Sequence, residues 1–224
     1  MSEIWTVFVK EWRGEMRSRH GLFTAGLFSL LAVVAMGFAS YGIKPSGGLA
    51  AGMLCVTLLF AAITALPRTF LVEDEQGTFD LLRLIAEPSI VFAGKALYNA
   101  VQMLATGVLL AVLFVNMTGI EIAHGGLFAL GIAAESLALA GAVSVCGSLV
   151  IGASNRWVLA GVVALPLLLP QVFLGVGCMR VALGEGLAPG GWQSAFGLIG
   201  FAIAALAGGP LIAAAVWKHD DGDV

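Results

Sequence analysis

Charge is what this chain has least of. Of its 224 residues only 11% are Asp, Glu, Lys or Arg, against roughly 25% in a soluble domain. So few charges cannot cover the surface of a water-soluble fold of this size, and the soluble class is excluded. No basic run is present, which argues against nucleic acid as a partner. Cysteine is scarce too. Cys55, Cys146 and Cys178 each sit inside an apolar run, so a disulfide framework is not expected. No CxxC and no Cys/His cluster points to a metal site. Catalytic signatures are missing as well. The only Gly-Lys pair, Gly94–Lys95, is followed by Ala96 rather than Ser or Thr, so there is no Walker A loop. There is no HExxH, no GxSxG and no paired carboxylates, and no catalytic residue is assigned. If ATP drives this protein, another chain must bind it.

What is present is apolar. The chain is 59% hydrophobic, with a mean hydropathy of +0.99. A bilayer-spanning helix needs about 20 apolar residues. Six runs qualify, at about 21–42, 48–66, 96–117, 126–152, 157–179 and 194–217. The first follows basic residues but exceeds the 7–15 residues of a signal-peptide core, so it reads as a retained span. Lys and Arg then set the orientation. With the N-terminus inside, the inner segments hold Lys10, Arg13, Arg17, Arg19, Arg68, Arg83, Lys95, Arg156 and Lys218. The outer segments hold only Lys44 and Arg180. The expectation is an all-α polytopic protein of six transmembrane helices, with both termini cytoplasmic. It forms one domain over 1–224.

Residues 2–19 precede the first span. At helical spacing Trp5, Phe8, Val9, Trp12 and Met16 share a stripe, with Lys10, Arg13 and Arg17 beside it. That pattern suits an amphipathic helix lying in the headgroup layer. The tail "WKHDDGDV" is short and acidic, which predicts disorder. His20, His124 and His219 are isolated, and each reads as a solvated or interfacial side chain.

The scarce charges gather in "LPRTFLVEDEQGTFDLLRLIAEPSIVFAGKAL", Leu66 to Leu97. This loop, 67–95, carries Arg68, Phe70, Glu73, Asp74 and Glu75 before Gly77, which interrupts any helix. Thr78 is a fair N-cap, and Asp80 falls where a carboxylate favours the helix dipole. A short helix over 79–86 places Phe79, Leu82 and Ile85 on one face, and Pro88 stops it. An apolar face on a cytoplasmic loop must cover itself, on the bilayer or in a groove of a partner. The second inner loop is small and holds Asn155 and Arg156. Inside the spans, Glu135 is a costly ionisable group and a functional-site hypothesis by default. Its role would be to carry a proton or to contact a polar substrate; the alternative is a protonated carboxyl hydrogen-bonded to a neighbouring helix, with Gln102 or Gln171 as partner. Pro166 and Pro170 in "LPLLLP" each remove a backbone donor. That predicts a kinked or broken fifth span, packed on protein or lining a cavity.

The run "RTFLVEDEQGTFDLL", followed by Pro88 and Lys95, resembles the loop of the CcmB family, the haem exporter protein B permeases of cytochrome c maturation. "LPLLLP", after the loop bearing Arg156, supports the resemblance, which covers nearly the whole chain. It implies an ABC-2-type permease with an N-terminal interfacial helix and a cytoplasmic coupling helix, in a bacterial inner membrane. The implied partners are two copies of a CcmA-like ATPase, a second copy of this chain, CcmC-like and CcmD-like membrane proteins and the haem chaperone CcmE. ATP and Mg²⁺ would sit in the ATPase and haem elsewhere in the complex. This chain would bind no cofactor, and no haem ligand is assigned to it. The implied work is haem export or release of haem-loaded chaperone. On the residues alone, an ABC-2-type permease for a lipid, polymer or drug stands beside this reading, as does a membrane scaffold or enzyme without an ATPase.

Overall fold

The computed structural model describes residues 3–18, 20–65, 70, 77, 86–151 and 156–219. Among them, all regular structure is helical. In chain order the helices are α1 (Glu3–Ser18), α2 (His20–Ala39), α3 (Gly47–Ala65), α4 (Pro88–Thr118), α5 (Gly125–Leu149), α6 (Arg156–Ala182) and α7 (Ala188–His219). The short helix expected over 79–86 lies outside the described residues. So do Arg68, Glu73, Asp74, Glu75, Thr78, Phe79, Asp80, Leu82, Ile85 and Asn155.

Stretches within α3 to α7 are long and apolar enough to cross a membrane. The apolar stretch recognised in α2, Gly26–Ala39, is shorter. The whole α2 helix nevertheless has 20 residues, which at about 1.5 Å each matches a hydrocarbon core about 30 Å thick. The expected polytopic, all-helical architecture therefore stands. α5 is the central helix. The residues of its apolar span are 72% buried, against 17–44% in the other four. Small residues make this possible: a Cβ on Gly141 would come 2.8 Å from that of Ala205 in α7. Asn99 of α4 donates to the Ser144 hydroxyl of α5 at 2.8 Å, and that hydroxyl donates to the Ala140 carbonyl.

Two sequence expectations are corrected. Pro88 does not merely end a preceding element; it occupies the first turn of α4, where its missing N–H is harmless. The third span therefore starts eight residues before the expected position 96, and Lys95 belongs to a helix rather than to the loop. Pro166 and Pro170 do not break α6, which runs unbroken from Arg156 to Ala182. Both are exposed, on the side of α6 that carries Leu165, Leu169 and Phe173. The lost donors thus lie on the outer side of the helix, and the packed side keeps its ladder.

Near the far end of α7, Gly209 meets Phe92 of α4 so closely that a Cβ there would collide with the ring. Phe92 is wholly buried and cannot swing away. Gly209→Ala is expected to lower stability by about 1–3 kcal/mol, the usual cost of overpacking. Thermal unfolding in detergent reads this directly. Phe92→Leu in the same chain should restore part of the loss.

Candidate functional site

The chain's scarce ionic groups direct attention to the end of the bundle where α1, the start of α4 and the ends of α5 and α7 meet. α1 lies along α4 because α4 offers Gly94 at the crossing. A Cβ there would come 2.6 Å from the Val7 Cβ and 3.0 Å from the Ile4 carbonyl oxygen. One turn beyond Val7, Glu11 takes the Lys95 ammonium at 2.8 Å. Lys95 is fully buried and the Glu11 side chain is only 14% exposed, so this pair is screened little by water. The stripe read from the sequence flanks this contact: Phe8 and Val9 are half-buried, and Trp5, Trp12 and Met16 are about half exposed. Two aromatic stacking steps, Trp5 on Phe8 and Phe8 on Trp12, run along α1. Tyr98 of α4 closes against Phe8 and Trp12 at 6.4 and 6.5 Å. α1 thus has one face on protein and a tryptophan-bearing face left for the bilayer.

Phe70 is the described residue that ties the charged loop to this junction. Its side chain is wholly buried. It packs on Phe92 of α4 with ring centroids 5.9 Å apart, and on Gly147 of α5, where a Cβ would lie 3.0 Å from the ring. The Lys95 ammonium stands 5.5 Å from the ring centroid, in cation–π range. Val91, Ala96, Val145, Ala213 and Trp217 complete this small core, set apart from the main one. Trp217 donates its indole N–H to the Ser148 carbonyl at 3.1 Å, fixing the end of α7 to the end of α5. Seven residues on, Gly77 is an exposed turn with φ of +65°, a conformation that glycine adopts without strain.

The sequence singled out Phe70, Gly77 and Lys95, and Gly147 as a small residue that permits close packing, but missed Glu11, Phe92 and Trp217. Glu11 is four residues from Val7, so a helical wheel puts the two together. Nothing in the sequence says that this face is the packed one.

The opposite end is held by ion pairs. Glu185 accepts from the Gly48 N–H at 2.6 Å, at the start of α3 where a carboxylate suits the helix dipole. Its other oxygen pairs with Arg180 at 3.1 Å. Lys44 pairs with Glu121 at 2.9 Å, and the ammonium holds that exposed carboxyl below its ordinary range. His124 is exposed at the N-cap of α5 without capping it through its side chain.

Of the intramembrane residues, Glu135 and Gln171 are buried, on α5 and α6. Glu135 has no hydrogen-bond partner among the described residues. Gln102, one of its expected partners, instead lines a cleft with Trp12, Met16 and Tyr98 between α1 and α4. Arg156 begins α6. No group of three His, Cys, Asp or Glu suited to a metal occurs among the described residues.

A bundle of apolar helices with an amphipathic helix at its edge defines an integral membrane protein. The family described as CcmB protein matches residues 2–220, and the chain belongs to that family. It is thereby an ABC transporter permease subunit of the cytochrome c maturation system. No curated protein matches the chain.

Proposed function

We propose that this chain couples ATP hydrolysis in a separate CcmA-like ATPase to haem export or to the release of haem-loaded chaperone. Two such ATPases bind two copies of the permease in a bacterial inner membrane. CcmC-like and CcmD-like proteins and the chaperone CcmE complete the complex. ATP and Mg²⁺ sit in the ATPase, and haem is handled by the other subunits. The end bearing α1 and the charged loop faces the cytoplasm. Two facts support that orientation. Nine Lys and Arg fall in the sequence segments assigned to the inside, against two in those assigned to the outside. Those two, Lys44 and Arg180, are each paired with a carboxylate.

The observation that carries the coupling role is the burial of Phe70 among α4, α5 and α7. A loop anchored by a buried aromatic ring can pass a push to the spans, whereas a solvated loop would absorb it. Phe79, Leu82 and Ile85 seat in a groove of the ATPase. Glu73, Asp74, Glu75 and Asp80 set the register against basic residues there. ATP-driven closure of the ATPase dimer then moves the loop, and the spans follow as packed bodies. Arg68 flanks the anchor, and Asn155 and Arg156 form a second contact.

Phe79→Ala with Leu82→Ala is expected to leave the permease folded and inserted while cytochrome c maturation falls at least tenfold. Normal maturation in that variant would sink the coupling role. A mild-detergent pull-down of the tagged chain should recover the ATPase with CcmC-like and CcmD-like chains. Recovery of an ATPase without them would point to another cargo.

A further inference from the structure

Glu135 sits in the middle of α5, ten residues from Gly125 and fourteen from Leu149. It is wholly buried, and neither carboxyl oxygen has a hydrogen-bond partner among the described residues. Gly175 of α6 faces it. A Cβ at that position would lie 2.9 Å from Oε1 and closer still to Oε2, so the glycine leaves the space that the carboxyl fills. One turn away on the same helix, Gln171 is 1% exposed, and its Oε1 is also unpartnered. Ser136, next along α5 and packed on Gly107 of α4, has an unpartnered hydroxyl. Four of the five buried polar side-chain atoms lacking a partner among the described residues therefore belong to Glu135, Ser136 and Gln171. Buried polar groups are ordinarily satisfied, and a cluster of exceptions marks the place of a small ligand.

The chemistry of the surroundings selects that ligand. α3 contributes the Cys55 thiol and α6 the Cys178 thiol, both within electrostatic reach of the carboxyl. α7 packs Leu198 and Ala202 against Ala134 and Ala138 of α5, and its Ser194 hydroxyl lies against Gly177 of α6. No cation among the described residues offsets a charge on Glu135. A bare carboxylate at this depth is strongly disfavoured. A proton removes the charge and turns one acceptor oxygen into a donor, which Gln171 Oε1 is free to accept.

We propose that Glu135 and Gln171 form a proton-binding station at the centre of the bundle. The carboxyl is loaded as the neutral acid and donates its O–H to the Gln171 carbonyl oxygen. Because Gly175 closes over the carboxyl, loading and unloading require α5 and α6 to shift against each other. The inference is independent of the coupling role assigned to the loop.

The test uses the full chain in phospholipid vesicles. Dicyclohexylcarbodiimide, a lipid-soluble reagent that attacks protonated carboxyls, is expected to give an adduct at Glu135 by mass spectrometry, more slowly as the pH is raised. Infrared spectra should show a carboxylic C=O band that Glu135→Gln removes and Gln171→Leu shifts to higher frequency. Absence of the adduct at every pH overturns the station. A C=O band unchanged in Glu135→Gln does the same, and one unmoved in Gln171→Leu refutes the pairing. Labelling of the unaltered chain decides the matter if Glu135→Gln does not fold.

Discussion

Glu11→Ala is expected to destabilise the junction of α1 and α4 by about 1.5–3 kcal/mol, the usual worth of a hydrogen bond to a charged group, because it removes a carboxylate that holds a buried ammonium. The Lys95 ammonium is fully buried and meets Glu11 at 2.8 Å, and burial alone already disfavours a charge. The neighbouring Phe70 ring supplies a cation–π contact of about 0.5–2 kcal/mol, too little to replace a carboxylate. Chemical or thermal unfolding in detergent measures the loss. A control separates charge from packing. Glu11→Leu with Lys95→Met removes both charges and keeps the bulk, and it should recover part of the loss. If Glu11→Ala alone were neutral, the packing of α1 on α4 would need revision.

Phe70→Ala should be the most damaging substitution in the loop. Removal of a buried phenylalanine side chain costs about 3–5 kcal/mol when the cavity cannot collapse. Here the walls are Phe92 and Gly147 on helices fixed by their own packing. The expected result is loss of cytochrome c maturation together with a lower unfolding temperature. Phe70→Leu, which keeps much of the volume, should retain most of both. The contrast with Phe79→Ala and Leu82→Ala is informative. Those residues are assigned to a partner's groove, so their removal should spare stability and abolish coupling. A variant of Phe70 that loses coupling at wild-type stability would move this residue from the anchor to the contact surface.

Much of the fold was legible because the membrane restricts the choices. Backbone polar groups in lipid must be satisfied within the segment, so apolar runs of this length read directly as helices. Span boundaries were less legible. Pro88 signals both an end and a beginning, and the buried Lys95 makes the first turns of α4 look like loop. The prolines of α6 left a kink and a break both open, and the structure removes the break. The sequence marks the lost donors but not the side of the helix on which they fall.

The sequence by itself determined the class of this protein, the approximate place of its spans and the segments where charge collects. Those follow from transfer free energies summed over residues, a property that needs no partner. Only the tertiary structure decided that Glu11 is the partner of Lys95, that Phe70 closes a small core between α4, α5 and α7, and that Gly175 makes room for Glu135. Each of these depends on which face of one helix meets which face of another. In an apolar helix with polar residues this sparse, periodicity barely marks a face. The close approaches that glycine permits settle the matter.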